Sequence, residues 1–364
     1  MQITVSRDEI LKPVSLVAGV VERRQTLPIL SFIKVRQAEG RLRFTGTDLE
    51  IEISAEVPTG SGDAEFTVPA RKLFDICRAL PDGSDITLSK QGEKILLRAG
   101  KSRFTLLTLP TSDFPSIDTV SWEPALTLPQ GELKGLLERA QFCMAQQDVR
   151  YYLNGLCLEF GPGRIRGIAT DGHRMALSES HITTIKLERQ IIVPRKGVME
   201  AGRLLEDGEE HVEVRLTPNH MRLQTPGGIV FTTKLIDGRF PDYTKVVPTH
   251  QNKIIELDRI AFREALGRVA ILSNEKYRGV RLNLQDGKLS VSAHNPEQEE
   301  ATEELDVDYR GEGLEIGFNV NYLIEAVNAL GTNRINLGLN DANSSCVLWV
   351  ESSTARYIIM PMRL

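Results

Sequence analysis

The sequence has few of the residues from which catalytic and metal sites are usually built. Its 364 residues include four cysteines and six histidines, and these lack the close spacing typical of metal sites and redox pairs. It contains no glycine-rich phosphate loop, no GxSxG motif and no HExxH motif. Although Asp171 and His173 are close in sequence, no nucleophile accompanies them. We therefore expect no catalytic residues, no metal site and no cofactor.

Long hydrophobic runs are also absent. No apolar stretch approaches the length needed to cross a bilayer, and the first residues, MQITVSRDE, do not resemble a signal peptide. The cysteines are expected to be reduced and buried thiols, which together with the missing signal peptide predicts a cytoplasmic protein. They are Cys77, Cys143, Cys157 and Cys346. The net charge of −5 argues against a simple nucleic-acid-binding protein.

What the sequence does contain is an internal repeat. Three series of similar positions recur at intervals of roughly 125 residues. They are Asp48, Asp171 and Asn295, each after a predicted strand; Leu73, Val198 and Leu323, each in a predicted helix; and Phe104, Phe231 and Tyr357, each in a strand that leads to a proline. Because the three series agree, we predict three structural repeats of about 120 residues, a normal size for a domain.

Each repeat is predicted to have the same α+β order. A first helix is followed by a strand pair, a second helix and further strands with alternating apolar residues. The first helices are predicted over 8–21, 131–145 and 258–273, and the second helices over 71–80, 196–206 and 320–330. We predict three domains, over 1–122, 123–249 and 250–364, with linkers near 121–124 and 248–252.

Charge is distributed unevenly along the chain. The predicted helices together carry a net positive charge, although the whole chain is at −5. This predicts one less negative surface, provided that the helices share a face. The alternative is that arginine and lysine simply collect at helix ends, where they are favourable.

An acidic run follows Asn295, the third position of the first series. It consists of Glu297, Glu299, Glu300, Glu303 and Glu304. Because these residues lie along an extended segment, we interpret the run as a solvated or partner-facing edge rather than as a metal site.

Ten short motifs resemble those of bacterial DNA polymerase III beta subunits, the sliding clamps. They are TLPIL at 26–30, TGTDLE at 45–50, VPARK at 68–72, QDVRYYLNG at 147–155, ATDGHR at 169–174, VPRKG at 193–197, DGRFPDY at 237–243, ILSNEKYRGVRL at 271–282, NPEQEEA at 295–301 and MPMRL at 360–364. They cover all three repeats and occur in the family's order. The resemblance implies the DNA clamp fold: three similar domains, each with two helices packed on antiparallel sheets, and a head-to-tail dimer that forms a six-domain ring.

Simple geometry agrees with the implied ring. A domain of about 120 residues has a radius of gyration of about 14 Å and a diameter of about 35 Å. Six such domains in a ring leave a hole as wide as one domain, whereas three leave a hole of about 5 Å. Duplex DNA is roughly 20 Å across. Two chains can therefore encircle DNA, whereas one chain cannot.

The resemblance also implies a function without chemistry, that of a processivity factor in DNA replication. A closed ring stays on DNA topologically, so its phosphate contacts can be weak and sequence-independent, which permits sliding. The implied partners are duplex DNA, a second copy of the chain, and clamp-binding peptides of the DNA polymerase III alpha subunit, the clamp loader, other polymerases and repair proteins. The implied DNA-facing residues are Arg24, Arg71, Gln147, Arg150, Tyr151, Tyr152, Arg195 and Lys196.

Two protein-binding surfaces follow from the same resemblance. The implied peptide groove comprises Leu153, Thr170, Gly172, His173, Arg174, Met175, Pro241, Lys245, Val246, Asn343, Ser345, Ile358, Met360, Pro361 and Met362. The implied dimer interface pairs Lys72, Arg103 and Phe104 with Ile271, Leu272, Glu299 and Glu303. Met175, Lys245 and Asn343 depart from the family's commonest residues, which affects the expected peptide preference but not the groove itself.

Two other classes of function compete with a clamp. A transcription regulator would need a recognition helix, but the basic residues are spread over the repeats and no helix-turn-helix spacing is present. A hydrolase or nuclease that uses two metal ions would need clustered carboxylates, and the sequence offers only the acidic run. The sequence favours a clamp.

Overall fold

The computed structural model describes residues 2–21, 27–117 and 121–363. These residues form two compact units, Met1–Gly131 with Arg203–Leu235 and Glu132–Gly202 with Ile236–Leu364, which we call unit 1 and unit 2. Within the described ranges, no helix has the length and apolar character needed to span a bilayer.

The first repeat has two helices and eight strands. They are β1 (Gln2–Ser6), α1 (Arg7–Val20), β2 (Phe32–Ala38), β3 (Arg41–Thr47), β4 (Ile51–Pro58), β5 (Ala64–Pro69), α2 (Ala70–Ala79), β6 (Asp85–Gln91), β7 (Lys94–Ala99) and β8 (Ser102–Leu107). The hydroxyl of Ser6 accepts a hydrogen bond from the backbone N–H of Asp8 at 3.3 Å and so caps α1.

The second and third repeats have the same order of elements. The second has β9 (Leu126–Pro129), α3 (Gln130–Ala140), β10 (Gly155–Gly161), β11 (Arg164–Thr170), β12 (Arg174–His181), β13 (Arg189–Pro194), α4 (Arg195–Leu204), β14 (His211–Leu216), β15 (His220–Gln224) and β16 (Val230–Lys234). The third has β17 (Lys253–Asp258), α5 (Arg259–Ala270), β18 (Gly279–Gln285), β19 (Lys288–His294), β20 (Glu300–Asp306), β21 (Leu314–Asn319), α6 (Val320–Ala329), β22 (Arg334–Leu339), β23 (Cys346–Trp349) and β24 (Arg356–Ile359). The predicted α+β fold with three similar repeats is confirmed.

The strands form antiparallel sheets that cross the repeat boundaries. Unit 1 has an eight-stranded sheet of order β5-β2-β3-β4-β16-β15-β14-β9 and a four-stranded sheet of order β1-β6-β7-β8. Unit 2 has an eight-stranded sheet of order β13-β10-β11-β12-β24-β23-β22-β17 and a four-stranded sheet of order β20-β19-β18-β21. Each large sheet joins strands of neighbouring repeats, through β4 and β16 or through β12 and β24. The compact units therefore differ from the three predicted domains, whose boundaries stay a prediction.

The four cysteines are free and buried. Burial raises the pKa of Cys77 to about 11 and that of Cys346 to about 12. It also raises the pKa values of Cys143 and Cys157 well above the ordinary value of a thiol. Because the thiolate is the reactive form of cysteine, these side chains serve as small apolar core residues.

Candidate functional site

The loop between β11 and β12 is held by hydrogen bonds of two polar side chains. The hydroxyl of Thr170 donates to the carbonyl of Arg174 at 2.6 Å and accepts from the N–H of Gly172 at 3.1 Å. The carboxylate of Asp171 accepts from the N–H groups of His173 and Arg174 at 2.9 and 3.0 Å. These bonds fix the loop that carries the predicted groove residues.

The equivalent loop of the first repeat has the same bonds. The hydroxyl of Thr47 donates to the carbonyl of Ile51 at 2.7 Å, and the carboxylate of Asp48 accepts from the N–H groups of Glu50 and Ile51 at 2.9 and 2.7 Å. The repeated Thr-Asp pair in the sequence therefore marks one repeated turn.

Gly172 has a backbone conformation that favours glycine, with φ of +89°. A Cβ atom at this position would lie 2.8 Å from the guanidinium of Arg150. We expect Gly172→Ala to lower the free energy of unfolding by about 1–2 kcal/mol or more. Chemical denaturation measures this loss. Gly163→Ala is the matched control, since Gly163 has φ of +73° and open space around its Cβ position; equal losses in the two variants would show that displacing Arg150 costs nothing.

The eight-stranded sheet of unit 2 has an apolar outer face, opposite to the face on which α3 packs. Gly167 and Ser178 face α3, since a Cβ on Gly167 would lie 3.1 Å from the carbonyl of Leu136 and Ser178 accepts a hydrogen bond from Arg139 at 2.7 Å. The strand residues that alternate with these two, together with residues of neighbouring loops, form a cluster that we call the outer-face cluster. Its buried members are Ala145, Leu153, Cys157, Ile168, Met175, Ile192, Phe240, Tyr243, Val347, Trp349 and Ile358.

The segment 240–248 lies across this outer face. Phe240 and Tyr243 are buried in the outer-face cluster, and Val246 and Val247 pack against it. The hydroxyl of Tyr243 donates to the carboxylate of Glu159 at 3.0 Å. The segment is therefore fixed on the sheet by both apolar packing and a partly buried hydrogen bond.

Many of the predicted groove residues meet on this face. Leu153, Met175 and Ile358 belong to the outer-face cluster, and Met175 stands directly opposite Ile358 in the pair formed by β12 and β24. The C-terminal segment is attached beside them, because the N–H of Met360 donates to the carbonyl of His173 at 2.9 Å. Their arrangement gives an apolar floor with the exposed side chains of Pro241 and Lys245 near its rim.

Other predicted groove residues point elsewhere. The guanidinium of Arg174 donates to the carboxylate of Asp171 at 3.1 Å and to the carbonyl of Phe142 at 2.8 Å, and forms an ion pair with Glu325. It also stacks on the ring of Tyr322, with its central carbon 4.4 Å from the ring centroid. Arg174 therefore braces the groove loop against α6 instead of lining the apolar floor.

The C-terminal segment continues away from the outer-face cluster. The N–H of Met362 donates to the carbonyl of Gly317 at 2.9 Å, so the segment extends to β21, with Pro361 between the two attachment points. The side chain of Met362 lines a separate cavity with Tyr277 and Arg281. Asn343 and Ser345 lie in the connection between β22 and β23, where the N–H of Asn343 donates to Asp341 at 2.8 Å.

The sequence prediction missed several residues of this face. Phe240 and Tyr243 lie within the DGRFPDY motif, yet only Pro241 was assigned to the groove from it. Leu177 lies two residues after Met175 and packs on the same cluster. The alternation of side chains along a strand could have identified Leu177, since residues two apart share a face.

Six matched positions on the equivalent face of unit 1 carry polar side chains. Strand register matches six outer-face residues of unit 2 with residues of unit 1. Cys157, Ile168, Met175, Leu177, Val347 and Ile358 correspond to Lys34, Thr45, Glu52, Ser54, Arg222 and Thr232. Burial raises the pKa of Glu52, and Arg222 donates to Thr232 at 3.0 Å. Of the two equivalent faces, that of unit 2 provides the apolar floor that a peptide-binding groove needs.

The predicted DNA-facing residues of unit 2 lie on one loop and the start of α4. Arg150 forms an ion pair with Asp148 at 2.8 Å, and its side-chain hydrogen bond lowers the pKa of Asp148 to about 2. Tyr151 is exposed, and its ring lies edge-on to that of Tyr152 at 5.7 Å. Tyr152 packs against the outer-face cluster, so of the two tyrosines Tyr151 is the accessible one.

The remaining predicted DNA-facing residues are spread over both units. The N–H of Arg195, at the start of α4, donates to the carbonyl of Asn154 at 3.0 Å, which places Arg195 and Lys196 beside the 147–154 loop with Gln147. Arg71 begins α2 in unit 1 and donates to the carbonyl of Val21 at 3.1 Å. Arg24 lies outside the described residues. Within the described ranges of the chain, no group of three or more histidine, cysteine, aspartate or glutamate side chains could hold a metal ion.

The predicted interface residues of unit 2 comprise two neighbouring apolar residues, one of them exposed, and two glutamates. Ile271, directly after α5, is 76% exposed, and Leu272 next to it is half-buried. Glu303 already forms a two-point ion pair with Arg268, at 2.7 and 2.9 Å. The carboxylate of Glu299 accepts from the side chain of Asn295 at 2.7 Å.

The predicted interface residues of unit 1 lie on α2 and β8. Lys72 and Arg103 are exposed, and Phe104 is half-buried. Its equivalents in the other repeats, Phe231 and Tyr357, are 0% and 1% exposed. Among the described residues, Phe104 is therefore less covered than its equivalents.

Comparisons with known proteins give the family. The chain matches models of the DNA polymerase III beta subunit over its N-terminal domain at 1–118, its central domain at 127–242 and its C-terminal domain at 244–363. It is 49% identical over 370 residues to the beta sliding clamp of Pseudomonas putida and 47% identical over 369 residues to that of Escherichia coli K12, with 100% of each chain covered. The crystal structure of the DNA polymerase III subunit beta from Pseudomonas aeruginosa matches with a TM-score of 0.97 and 47% sequence identity. The crystal structure of the same organism's sliding clamp bound to griselimycin matches with a TM-score of 0.96 and 47% sequence identity. Both matches cover 100% of each chain. The chain belongs to the family of DNA polymerase III beta subunits, the beta sliding clamps.

Proposed function

We propose that two copies of this chain close head to tail into a six-repeat ring around duplex DNA and tether the replicative polymerase to it. The sliding-clamp role and the part in DNA replication follow from the family. We propose in addition the ring, the DNA-facing residues, the peptide partners and the absence of any reaction. Such a protein would act in the cytoplasm, where bacterial DNA is replicated.

The observation that carries the ring is a pair of edge strands. In each large sheet the fourth strand of one repeat pairs with the eighth strand of the next, β4 with β16 and β12 with β24. In the described chain, the fourth strand of the third repeat, β20, and the eighth strand of the first, β8, are edge strands. Edge strands present unpaired N–H and C=O groups. Pairing β20 of one copy with β8 of another continues the same rule and gives a head-to-tail contact.

The register of this contact follows from the other two joints. Ile53 faces Phe231 in the first joint, and Ala176 faces Tyr357 in the second. The equivalent pair places Ala301 opposite Phe104 of the second copy. This contact would cover the half-buried Phe104.

A second contact follows from the same equivalence. Phe142, after α3, packs on Tyr357 with ring centroids 5.4 Å apart. Ile271 follows α5 as Phe142 follows α3, so it would pack on Phe104 of the second copy. The exposed Ile271 thereby becomes the apolar centre of the interface, with Lys72, Arg103 and the acidic run around it.

Sliding requires contacts that hold the DNA weakly. Arg150 is already paired with Asp148, and the overall charge is −5, so a tight grip on phosphates is not expected. Affinity instead comes from closure of the ring, and the DNA contacts only centre the duplex. The protein performs no reaction in this mechanism.

Peptide tethering uses the outer-face cluster. Its apolar floor includes the adaptable side chain of Met175, and the exposed Met360 stands beside it. We propose that clamp-binding peptides of the DNA polymerase III alpha subunit, the clamp loader and other polymerases insert apolar side chains there. The described part of unit 1 has polar side chains at the matched positions, so each chain would hold one such peptide.

Retention on circular DNA tests the proposal. Labelled protein is loaded by its clamp loader onto a nicked circular plasmid, and the bound fraction is separated by gel filtration. We expect the bound protein to be lost when a restriction enzyme linearises the plasmid. A linear DNA whose ends are blocked by bound streptavidin is the control and should retain it. Equal retention on circular and unblocked linear DNA would contradict topological binding.

A further inference from the structure

A cavity separate from the proposed peptide groove lies on the same face of the sheet, on the other side of the segment 243–249. The cavity has a volume of about 420 Å³ and lies wholly within unit 2. The residues that matter for its chemistry are Arg166, Leu177, Glu179, Tyr243, Val247 and Arg356. None of them belongs to the predicted peptide groove.

The cavity is continuous with the floor of the groove. Leu177 lies two residues beyond Met175 on β12, and Arg356 lies two residues before Ile358 on β24; the pairs Met175–Ile358 and Leu177–Arg356 are successive outward-facing rungs of one ladder. Residues two apart on a strand are separated by about 7 Å. An extended peptide therefore passes from one depression to the other within about two residues.

The cations of the cavity differ in their partners. The guanidinium of Arg166 donates to the carboxylate of Glu179 at 2.5 Å and to that of Glu159 at 3.2 Å. Arg356 instead donates only to the backbone carbonyls of Ser353 and Ala355, at 2.8 and 2.9 Å. No carboxylate of the described chain lies within ion-pair distance of it. Arg356 is therefore a half-buried cation with no direct ion-pair partner, although the charge of Glu351 acts on it from farther away.

Burial makes this isolation costly to the protein. Desolvation lowers the pKa of Arg356 from its usual value, although a guanidinium stays charged in proteins. A carboxylate that enters the cavity would replace lost water with charge-assisted hydrogen bonds. Leu177 and Val247 supply apolar surface beside the cation.

We propose that this cavity binds an acidic residue of the partner peptide, together with an apolar side chain next to it, in the part of the peptide that extends beyond the groove. The inference rests on the proposed peptide-binding function and adds a charge preference to it. Arg356 recognises the carboxylate, and Leu177, Val247 and the ring of Tyr243 receive the apolar side chain. The backbone carbonyls of Ser353 and Ala355 hold Arg356 in place.

Fluorescence anisotropy with matched peptides tests this. The core probe is a labelled clamp-binding peptide of the DNA polymerase III alpha subunit. Two acidic probes carry an added Leu-Glu, one at the N-terminus and the other at the C-terminus of the core peptide. Two neutral probes carry Leu-Gln at the same positions. On the wild-type protein, we expect one acidic probe to bind about fivefold to tenfold more tightly than its neutral match.

The variants assign this gain to Arg356. Arg356→Gln should abolish the difference between the acidic and neutral probes while leaving the core peptide's affinity unchanged, and Arg356→Lys should restore part of it. Lys186→Gln removes an exposed charge away from the cavity and should keep the full difference. A gain that persists in Arg356→Gln, or no gain on the wild type, would overturn the inference while leaving the groove intact. Failure of the core peptide to bind the wild type would overturn both.

Discussion

Replacing Ile271 with aspartate is expected to convert the dimer into monomers. Ile271 is 76% exposed in the chain, and in the proposed head-to-tail contact it would pack on Phe104 of a second copy. Burying an unpaired carboxylate in an apolar contact costs several kcal/mol. Because the proposed ring has two identical interfaces, the substitution acts twice. Sedimentation equilibrium should show the mass of one chain at concentrations where the wild type is a dimer.

Two further variants make this result specific. Leu272→Asp should also give monomers, since Leu272 is the next residue of the same predicted interface. Ile260→Asp is the matched control, because Ile260 is an exposed isoleucine at the other end of α5, 45% exposed, and should leave the dimer intact. A dimer that survived Ile271→Asp with its thermal stability unchanged would contradict the proposed pairing of β20 with β8.

The order of elements could be predicted because helix and strand patterns are local. The repeated Thr-Asp pair marks one turn with the same hydrogen bonds in two repeats. The predicted helix 131–145 was too long, since α3 ends at Ala140 and a 3-10 turn follows over Gln141–Cys143. That turn places the ring of Phe142 on Tyr357, a contact with a distant strand. Periodicity within a segment carries no signal of such a contact.

Pairing between repeats could not be predicted from sequence. The joint between β4 and β16 brings Ile53 opposite Phe231, which belong to different repeats. Such pairing depends on long-range closure and not on the pattern of either strand. For the same reason the two compact units do not follow the repeat boundaries, although the repeats themselves were visible in the sequence.

The candidate site was partly predictable, and the direction of side chains decides which part. The ATDGHR motif identified the loop at 169–174, but the resemblance assigned Arg174 and the following Met175 to the same groove. Neighbouring residues of a strand face opposite sides, so Met175 joins the outer-face cluster while Arg174 reaches Glu325 on α6. A direct contribution of Arg174 to peptide binding stays a prediction. Leu177, which follows from the same alternation, was missed.

The two equivalent faces differ in how well they suit the proposed peptide. The backbone frame is the same in both units, and the difference lies in the side chains. Where unit 2 has the opposed pair Met175 and Ile358, unit 1 has Glu52 and Thr232. In unit 1 the polar side chains are partnered with one another, as Arg222 is with Thr232, so an apolar peptide would have to displace these bonds. The proposed binding specificity would therefore be set by side chains on a shared fold.

Deleting the last five residues, 360–364, is expected to abolish peptide binding while the dimer persists. The deletion removes the hydrogen bonds from Met360 to His173 and from Met362 to Gly317, together with the exposed Met360 side chain at the edge of the floor. We expect peptide affinity to fall by at least about tenfold in a fluorescence titration.

The shorter deletion of Arg363 and Leu364 is the matched control for this result. It retains the backbone groups of Met360 and Met362 that attach the segment to His173 and Gly317, so it should bind peptide nearly as the full chain does. Both truncated proteins should sediment as dimers, because Phe104 and Ile271 are unchanged. Unchanged affinity in the five-residue deletion would show that β12, β24 and the segment 240–248 suffice to form the groove. A loss of affinity in both deletions would instead assign the effect to the chain end itself and not to the two attachment points.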